Sequence, residues 1–282
     1  MHVHPADMTQ EEYHLLNEFL SEHFGLHFPE NKKPILESRL TRRVYTLNLR
    51  NYMDYYYFLQ FNSNGSDELM HFCSLVTNNE TYFFRETHQF EALFIRGLDV
   101  LRSAAPSMQS VRILCAGCSS GDEPYTLNIY TRENQFRTPG IDVEIHAFDL
   151  DPACIELALS AEYGPRSLRS VRQDQIVRYF ARAKDNRYLL KTFYRTGVNF
   201  FTGNILDLDS YFGDAPYDVI FCRNVLIYFS EMTTRKAIDN FARCLKPGGL
   251  LFLGHSESII GVSRFFETIR FSDCIAYRRV NP

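Results

Sequence analysis

Residues suited to binding a nucleoside follow three β-rich runs of this chain. The run at 111–115 precedes the turn Gly117–Gly121, the run at 143–148 precedes Asp149, and the run at 217–222 precedes Asn224. A carboxylate in such a position accepts hydrogen bonds from both hydroxyls of a ribose. The glycine turn lacks the spacing of a dinucleotide fold (G-x-G-x-x-G) and of a phosphate loop (G-x-x-x-x-G-K-[ST]). The pattern therefore favours a nucleoside cofactor without phosphates over NAD or ATP.

Two other motifs invite chemical readings that the sequence disfavours. Cys115 and Cys118 form a C-x-x-C, but glycines flank it and a lone pair cannot complete a four-ligand zinc site. We therefore expect both cysteines to be small side chains that line the cofactor turn, and we expect no metal site. His255, Ser256 and Glu257 resemble a hydrolytic triad, yet adjacent residues point in different directions and no G-x-S-x-G is present.

The elements that must position these residues alternate between strand and helix patterns. Further β-rich runs at 198–201, 250–254 and 274–278 are interspersed with helical stretches at 152–160 and 233–245. Such alternation predicts an α/β fold with a doubly wound parallel sheet. In such a sheet the ligand lies outside the carboxyl ends of the strands, where the polar residues stand.

The N-terminal third has the pattern of helices. Thr9 and Glu12 predict a capping box ahead of an apolar stripe that ends near Gly25, and Pro34 suits the first turn of the next helix. Two further helices are expected from the aromatic-rich run at 51–61 and the run at 66–76, with a turn at 62–65 between them. The result is a helical domain of about 80 residues.

Composition excludes several classes of protein. The chain has 282 residues, a net charge of −4 and a hydrophobic share of 45%, which is ordinary for a globular protein. Its seven cysteines are an odd number, and we expect free thiols in a reducing cytosol rather than a disulfide scaffold. We read no membrane-spanning run or leader peptide, so we expect a cytoplasmic protein without membrane insertion.

Five strings carry a resemblance to a known family. They are NETYFFR at 79–85, AGCSSGDEPY at 116–125, FDLD at 148–151, FCRNVLIYF at 221–229, and LKPGG at 245–249 with GHSE at 254–257. In this order they resemble the CheR-type chemotaxis protein methyltransferases over nearly the whole chain. Asp122 departs from the family's more common Glu, while Glu123 is retained.

The resemblance implies a fold and an activity. It implies an N-terminal helical substrate-recognition domain with a linker at 1–86, and a Rossmann-like methyltransferase domain at 87–282 with a small β-subdomain inserted at about 162–198. Members of the family transfer a methyl group from S-adenosylmethionine to glutamate side chains of chemoreceptors, leaving S-adenosylhomocysteine. We therefore expect S-adenosylmethionine as the cofactor and glutamate methyl esters as products of sensory adaptation.

The resemblance also implies residue roles. Arg85 and Tyr228 border the transferable methyl and the incoming glutamate, as the catalytic pair. The cofactor-binding set includes the linker segment, the glycine turn, the residue facing the methionine portion, the ribose carboxylate and the segment beside the adenine. Its members are Asn79, Thr81, Arg85, Gly117, Glu123, Asp149, Asn204, Ile205 and Asn224.

Structural roles compete with these assignments. Asp149 is suited to cap a helix that begins near Pro152, a role compatible with ribose binding. Asn79 or Thr81 can cap a helix from about Thr87, and Asn204 can stabilise the turn before Leu206. A salt bridge with Glu86 or another surface acid is the structural alternative for Arg85, and a buried phenol is the alternative for Tyr228.

Two basic elements are candidates for partner recognition. Arg39, Arg42 and Arg43 lie on one helix, and residues 162–198 carry nine Lys/Arg against three Asp/Glu, a net +6. Such patches suit the acidic methylation helices of a chemoreceptor, although a basic helix face is often merely solvated. In some relatives the β-subdomain docks a receptor C-terminal peptide. The turn 183–187 is short here, which argues against transferring peptide docking to this chain, although the resemblance keeps a receptor C-terminal peptide among the candidate partners.

Three functions remain open at this stage. Receptor glutamate methylation by a monomer recruited to membrane receptor arrays is the first. The others are methylation of another protein or a small molecule, and a non-catalytic cofactor-binding module. We do not expect a nucleic-acid partner, because core packing explains the aromatic run at 52–58 more simply than base stacking.

Overall fold

A computed structural model describes residues 7–61, 65–135, 140–208 and 217–281. The chain divides into two compact units, the smaller being Met1–Asn78 with Tyr228–Thr234 and the larger Asn79–Ile227 with Arg235–Pro282. The turn expected at 62–65 lies outside the described residues except for its last residue. Within those described ranges, no helix has the length and apolar character needed to cross a bilayer.

The smaller unit is helical, as predicted. Its N-terminal part consists of α1 (Gln10–Phe24), α2 (Lys33–Thr46), α3 (Tyr52–Phe61) and α4 (Gly65–Val76). Thr9 and Glu12 form the predicted capping box, and α1 ends at Gly25, whose φ of 75° is left-handed. Pro34 lies in the first turn of α2. The buried apolar residues of α1 and α2 are Tyr13, Leu16, Phe19, Leu20, Phe24, Leu36, Leu40 and Val44.

The larger unit is built on a mostly parallel sheet. The strands of that sheet are β1 (Ser110–Ala116), β2 (Asp142–Asp149), β6 (Val198–Thr202), β7 (Tyr217–Cys222), β8 (Leu245–Leu253), β9 (Phe266–Arg270) and β10 (Ile275–Arg279). In the described chain their spatial order is β6-β2-β1-β7-β8-β10-β9. The first five strands of this order run parallel, whereas β10 is antiparallel to both of its neighbours.

The predicted doubly wound α/β fold is confirmed, and one edge of its sheet is antiparallel. The strand at 266–270 was missed because its exposed residues alternate weakly with apolar ones, and a short connection joins it to β10 as an antiparallel pair. The central strands agree with the prediction, since β7 is buried at every residue, as expected for a parallel strand covered on both faces.

Helices connect and cover these strands. They are α5 (Thr87–Ala92), α6 (Leu98–Ala104), α7 (Asp122–Glu133), α8 (Pro152–Ser160), α9 (Gln173–Tyr179), α10 (Thr192–Arg195) and α11 (Glu231–Cys244), with a π-helical segment Leu93–Gly97 between α5 and α6. The core beside the sheet includes Phe90, Ile113, Leu127, Phe221 and Phe252.

The inserted subdomain is a second, three-stranded sheet with the order β3-β5-β4 among the described residues. Its strands are β3 (Glu162–Tyr163), β4 (Phe180–Arg182) and β5 (Tyr188–Leu190). The expected insertion at about 162–198 contains these three strands, but not all of it is β-structure. Residues 192–195 instead form α10, and 198–202 form β6, which pairs with β2 in the main sheet.

Candidate functional site

The carboxyl ends of four parallel strands lie side by side in the larger unit. Ala116 pairs with Phe148, Cys115 with Phe221, and Asp149 with Thr202. The loops that follow these strands therefore emerge at one edge of the sheet. This edge is where a doubly wound fold binds its ligand.

The turn after β1 is fixed by backbone bonds and a close approach. The N–H groups of Gly117 and Cys118 both donate to the carbonyl of Phe148, each at 2.9 Å. Gly117 has a left-handed φ of 76°, and a Cβ there would lie 2.5 Å from Cγ2 of Val225. Only glycine fits this position, because the turn adopts a left-handed backbone against the loop that follows β7.

Asp149 is held rigidly at the end of β2. Its side chain is buried, and its two oxygens accept hydrogen bonds from the N–H groups of Ser119 at 2.7 Å and Asp151 at 3.0 Å. Burial raises the pKa of Asp149 to about 6, against the opposing effect of these bonds. The alternative role as a helix cap is wrong, because Asp151 caps α8 by accepting from the N–H of Ala153.

Asn79 joins the linker segment to two of the loops. Its side-chain amide donates to Oδ2 of Asp151 at 2.9 Å, and its carbonyl accepts from Oγ of Ser119 at 3.0 Å. Neither Asn79 nor the partly buried Thr81 caps α5, because the N-cap of α5 is Glu86 and makes no side-chain capping bond. The helix-capping alternative for the linker is therefore wrong.

A buried ion-pair network lies beside Glu123. Nη1 of Arg223 is 3.2 Å from a carboxylate oxygen of Glu123, and Nη2 is 3.4 Å from one of Glu86. The Arg223 side chain is 2% exposed, and its guanidinium also lies over the ring of Phe90. Burial raises the pKa of Glu123, although Arg223 opposes this shift.

Arg223 also holds the segment that carries Arg85. Its Nη2 donates to the carbonyl of Arg85 at 2.7 Å. Glu86 adopts a left-handed φ of 51°, and its carboxylate additionally lies 2.8 Å from Nδ1 of His255. Sequence reasoning missed Arg223, although a charged residue directly after the fully buried strand β7 was a usable signal.

The Arg85 guanidinium itself contacts Glu80 and Tyr82. It donates to the carbonyl of Glu80 at 3.0 Å and lies 5.6 Å from the ring centroid of Tyr82. In the part of the chain that is described, no ion pair joins Arg85 to Glu86. Tyr82 also lies 3.7 Å from the guanidinium of Arg169, so two cations flank one ring.

The adenine-side candidates lie after β6. Oδ1 of Asn204 accepts from the N–H of Leu206 at 2.9 Å, which confirms the expected turn-stabilising role. Ile205 is 5% exposed, and its carbonyl accepts from the side chain of Asn240 at 2.8 Å. Asn224, after β7, has a left-handed φ of 60°.

The remaining candidates belong to the smaller unit. There the Tyr228 hydroxyl accepts a hydrogen bond from the Asn78 side chain at 2.8 Å. Arg39 donates to the carbonyls of Val76 and Thr77, and Arg43 forms an ion pair with the buried carboxylate of Glu68. Burial lowers the pKa of Arg39. Arg42 is exposed, so it is the arginine of this trio most available to a partner.

The C-x-x-C motif and the triad-like residues 255–257 have structural roles. Cys115 and Cys118 are buried free thiols, and burial raises the pKa of both. The described ranges contain no group of three His, Cys, Asp or Glu side chains arranged to hold a metal ion. His255 bonds to Glu86 and Glu257 binds backbone N–H groups, and no described hydrogen bond links Ser256 to His255.

A mostly parallel sheet with a glycine turn after its first strand and carboxylates at its loops defines a Rossmann-like protein that binds a nucleoside cofactor. Family models described as CheR methyltransferase, SAM binding domain, and CheR methyltransferase, all-alpha domain, match residues 79–275 and 11–77. The chain belongs to the CheR methyltransferase family, and it is an S-adenosylmethionine-dependent methyltransferase.

Curated relatives extend over nearly the whole chain. The chain is 32% identical over 270 residues to chemotaxis protein methyltransferase 2 of Vibrio cholerae, which covers 96% of this chain and 93% of that protein. It is 33% identical over 271 residues to chemotaxis protein methyltransferase 1 of Pseudomonas aeruginosa, with coverage of 95% and 97%.

The donor set of the larger unit fits S-adenosylmethionine. Glu123 and Asp149 are carboxylates at this edge of the sheet, and a carboxylate can face a cationic group or accept hydrogen bonds from ribose hydroxyls. The turn Gly117–Gly121 has no Lys or Arg to neutralise phosphates. These residues suit a cofactor that carries positive charge and no phosphate groups.

Proposed function

We propose that this chemotaxis methyltransferase methylates glutamate side chains in the cytoplasmic helices of chemoreceptors. The observation that carries the proposal is the bond from Arg223 to the carbonyl of Arg85, because the same guanidinium pairs with Glu123. This network connects Arg85, which is suited to orient an acceptor carboxylate, with Glu123, which is suited to hold the cofactor.

The cofactor would be held from several loops. Glu123 would face the methionine portion and Asp149 the ribose, while Asn204 and Ile205 would lie beside the adenine. The further contacts would come from the linker, the glycine turn and the loop after β7, through Asn79, Thr81, Arg85, Gly117 and Asn224. The bonds from Asn79 to Asp151 and Ser119 support this arrangement, because they fix the linker to the loops.

Bound S-adenosylmethionine supplies an electrophilic methyl group on a sulfonium. A glutamate carboxylate is ionised at neutral pH, so its oxygen can form the new bond to carbon while the bond to sulfur breaks and its electron pair stays on sulfur. No proton is transferred. The protein must therefore align the acceptor and exclude water, because a hydrated carboxylate is a poor nucleophile.

Arg85 and Tyr228 are our candidates for orienting that carboxylate. A guanidinium and a phenol both donate hydrogen bonds to carboxylate oxygens, and the guanidinium adds charge. Arg85 makes its described hydrogen bond to a neutral carbonyl of Glu80. Its charge is therefore not consumed by an ion pair in the described structure.

Receptor recognition would use the basic helix α2. Arg39 and Arg43 have internal partners that hold the helical unit together, whereas Arg42 is exposed. We therefore expect Arg42 to contribute most to attraction of an acidic receptor helix, in a salt-dependent way. Recruitment to receptor arrays as a monomer is part of this proposal. Docking of a receptor C-terminal peptide on the β-subdomain stays an open prediction.

The test is incubation with methyl-labelled S-adenosylmethionine and membranes that contain chemoreceptors. Label released as methanol by mild base, and mapped to receptor glutamates, would support the proposal. Arg85→Ala should slow turnover to a greater degree than it weakens the binding of S-adenosylhomocysteine in calorimetry. A competent receptor preparation that acquires no label, despite cofactor binding, would direct the search to another protein or a small molecule as acceptor.

A further inference from the structure

One carboxylate of the larger unit binds four backbone N–H groups. Oε2 of Glu257 accepts from Gly254 at 2.7 Å and from Asn224 at 2.8 Å, and Oε1 accepts from Val225 at 2.9 Å and Ile227 at 3.3 Å. Converging N–H groups of this kind form an anion-binding concavity. Here the chain provides the anion from a segment about 30 residues away in sequence.

The loop after β7 needs this anion to keep its conformation. Asn224 is left-handed, and the N–H dipoles that follow it point to one place, where they would repel one another without a negative charge. A Cβ on Gly254 would lie 2.8 Å from Oε2 of Glu257 and 2.9 Å from N of Asn224. Glycine at this position therefore permits the close approach of the carboxylate.

The same carboxylate reaches a second loop of the site indirectly. Glu257 binds the N–H of Val225, and the side chain of Val225 lies close to Gly117. A Cβ on Gly117 would lie 2.5 Å from Cγ2 of Val225. A shift of Val225 would therefore displace or loosen the glycine turn after β1. Glu257 thus connects the end of β8 with the loops after β7 and β1.

We propose that Glu257 is a positioning residue that sets the cofactor-binding geometry of the loop carrying Asn224. The inference rests on the proposed role of Asn224 in cofactor binding. Glu257 itself touches backbone and not the reacting atoms. Its charge-assisted bonds are of the kind whose loss weakens an interaction about tenfold to a hundredfold.

The experiment compares Glu257→Gly with the unaltered protein, with and without added formate. Formate is a small carboxylate that can occupy the vacated position. Two quantities are measured: hydrogen exchange of the amides at 224–227 in the cofactor-free protein, and the Kd for S-adenosylhomocysteine by calorimetry. We expect faster exchange confined to this loop and a Kd raised about tenfold or more, and we expect formate to reverse both changes.

A matched control is Glu267→Gln, which removes a carboxylate that pairs with Arg278 at the surface of the same unit. Formate should have no effect on this control. If Glu257→Gly does not fold, Glu257→Gln takes its place. It keeps one acceptor oxygen but turns an NH₂ toward N–H groups, so it should also speed exchange at 224–227 and raise the Kd.

Two results would overturn the inference. One is unchanged exchange at 224–227 together with an unchanged Kd. The other is faster exchange across the whole unit that formate does not reverse, which would mean general destabilisation. Asn224→Ala separates the inference from its premise: if that variant binds the product normally, the assignment of Asn224 fails, whereas the exchange data still test Glu257.

Discussion

Replacing Arg223 by methionine removes the cation from a buried cluster of two carboxylates. The Arg223 side chain is 2% exposed, and those of Glu86 and Glu123 are 13% and 15% exposed. Methionine retains much of the volume of the aliphatic stem, so the change is mainly one of charge. Removing one partner of a buried ion pair costs about 3–5 kcal/mol, because the other charge is left uncompensated. We expect a loss of this size in the free energy of unfolding at about pH 8.

The pH dependence provides a sharper criterion than the size of the loss. Burial alone raises the pKa of Glu86, but Arg223 and His255 outweigh it, so the pKa is lowered overall. A lowered pKa in the folded state stabilises the protein above the unfolded pKa, and this contribution is lost as the pH falls through the folded pKa. Arg223→Met removes the cation that most strongly opposes burial, so we expect the pKa values of Glu86 and Glu123 to be higher than in the unaltered protein. The folded variant then binds protons more tightly, and its destabilisation should shrink toward about pH 5.

Urea unfolding at both pH values measures the effect. The free energy of unfolding of Arg223→Lys should lie between those of the unaltered protein and Arg223→Met. One ammonium cannot reproduce the planar guanidinium that reaches both acids and the Arg85 carbonyl. Arg278→Met is the control, since its partner Glu267 is 44% exposed and such surface pairs contribute about 1 kcal/mol or less. A loss below about 1 kcal/mol for Arg223→Met, or an equal loss at both pH values, would refute the reasoning.

Two further predictions concern the other carboxylates and the basic helix. Because burial raises the pKa of Asp149 to about 6, affinity for S-adenosylhomocysteine should fall as the pH decreases through that value. In calorimetry, Asp149→Asn should flatten the dependence of this affinity on pH, and Asp122→Asn should not. An unchanged pH dependence for Asp149→Asn would exclude Asp149 as the group that causes it. Arg43→Met should lower the free energy of unfolding by about 3 kcal/mol, because the buried Glu68 loses its cation and keeps only the hydrogen bond from Tyr55. Arg42→Gln should change it by less than about 0.5 kcal/mol in the same urea titration, and equal effects would contradict this account.

The sequence was most informative where the backbone imposes a local requirement. The capping box of Thr9 and Glu12 and the left-handed Gly25 are local motifs, and both were located correctly. The glycine turn after β1 was equally visible, because a strand, a turn and a helix follow one another without long-range information. Function was accessible for a different reason, since the ordered strings that resemble the CheR family can be recognised without knowing the fold.

Long-range partners were not accessible from the sequence. The interpretation of Arg39, Arg42 and Arg43 as one basic face could not distinguish arginines with internal partners from the exposed one, because Glu68 and the carbonyl of Val76 are distant in sequence. The position of the strand at 198–202 within the sheet was not accessible for the same reason. Its β-pattern was correct, but its pairing with β2 depends on topology.

Arg223 and Glu257 show why a site of this kind needs more than its ligand-contacting residues. Both lie outside the predicted cofactor and acceptor set, and each binds backbone of a loop that carries one of its members. The loops bear left-handed residues, Glu86 and Asn224, whose cost in free energy must be offset by surrounding contacts. A buried cation fixes the first loop and a carboxylate fixes the second. The geometry for methyl transfer therefore depends on two internal charges that perform no chemistry themselves.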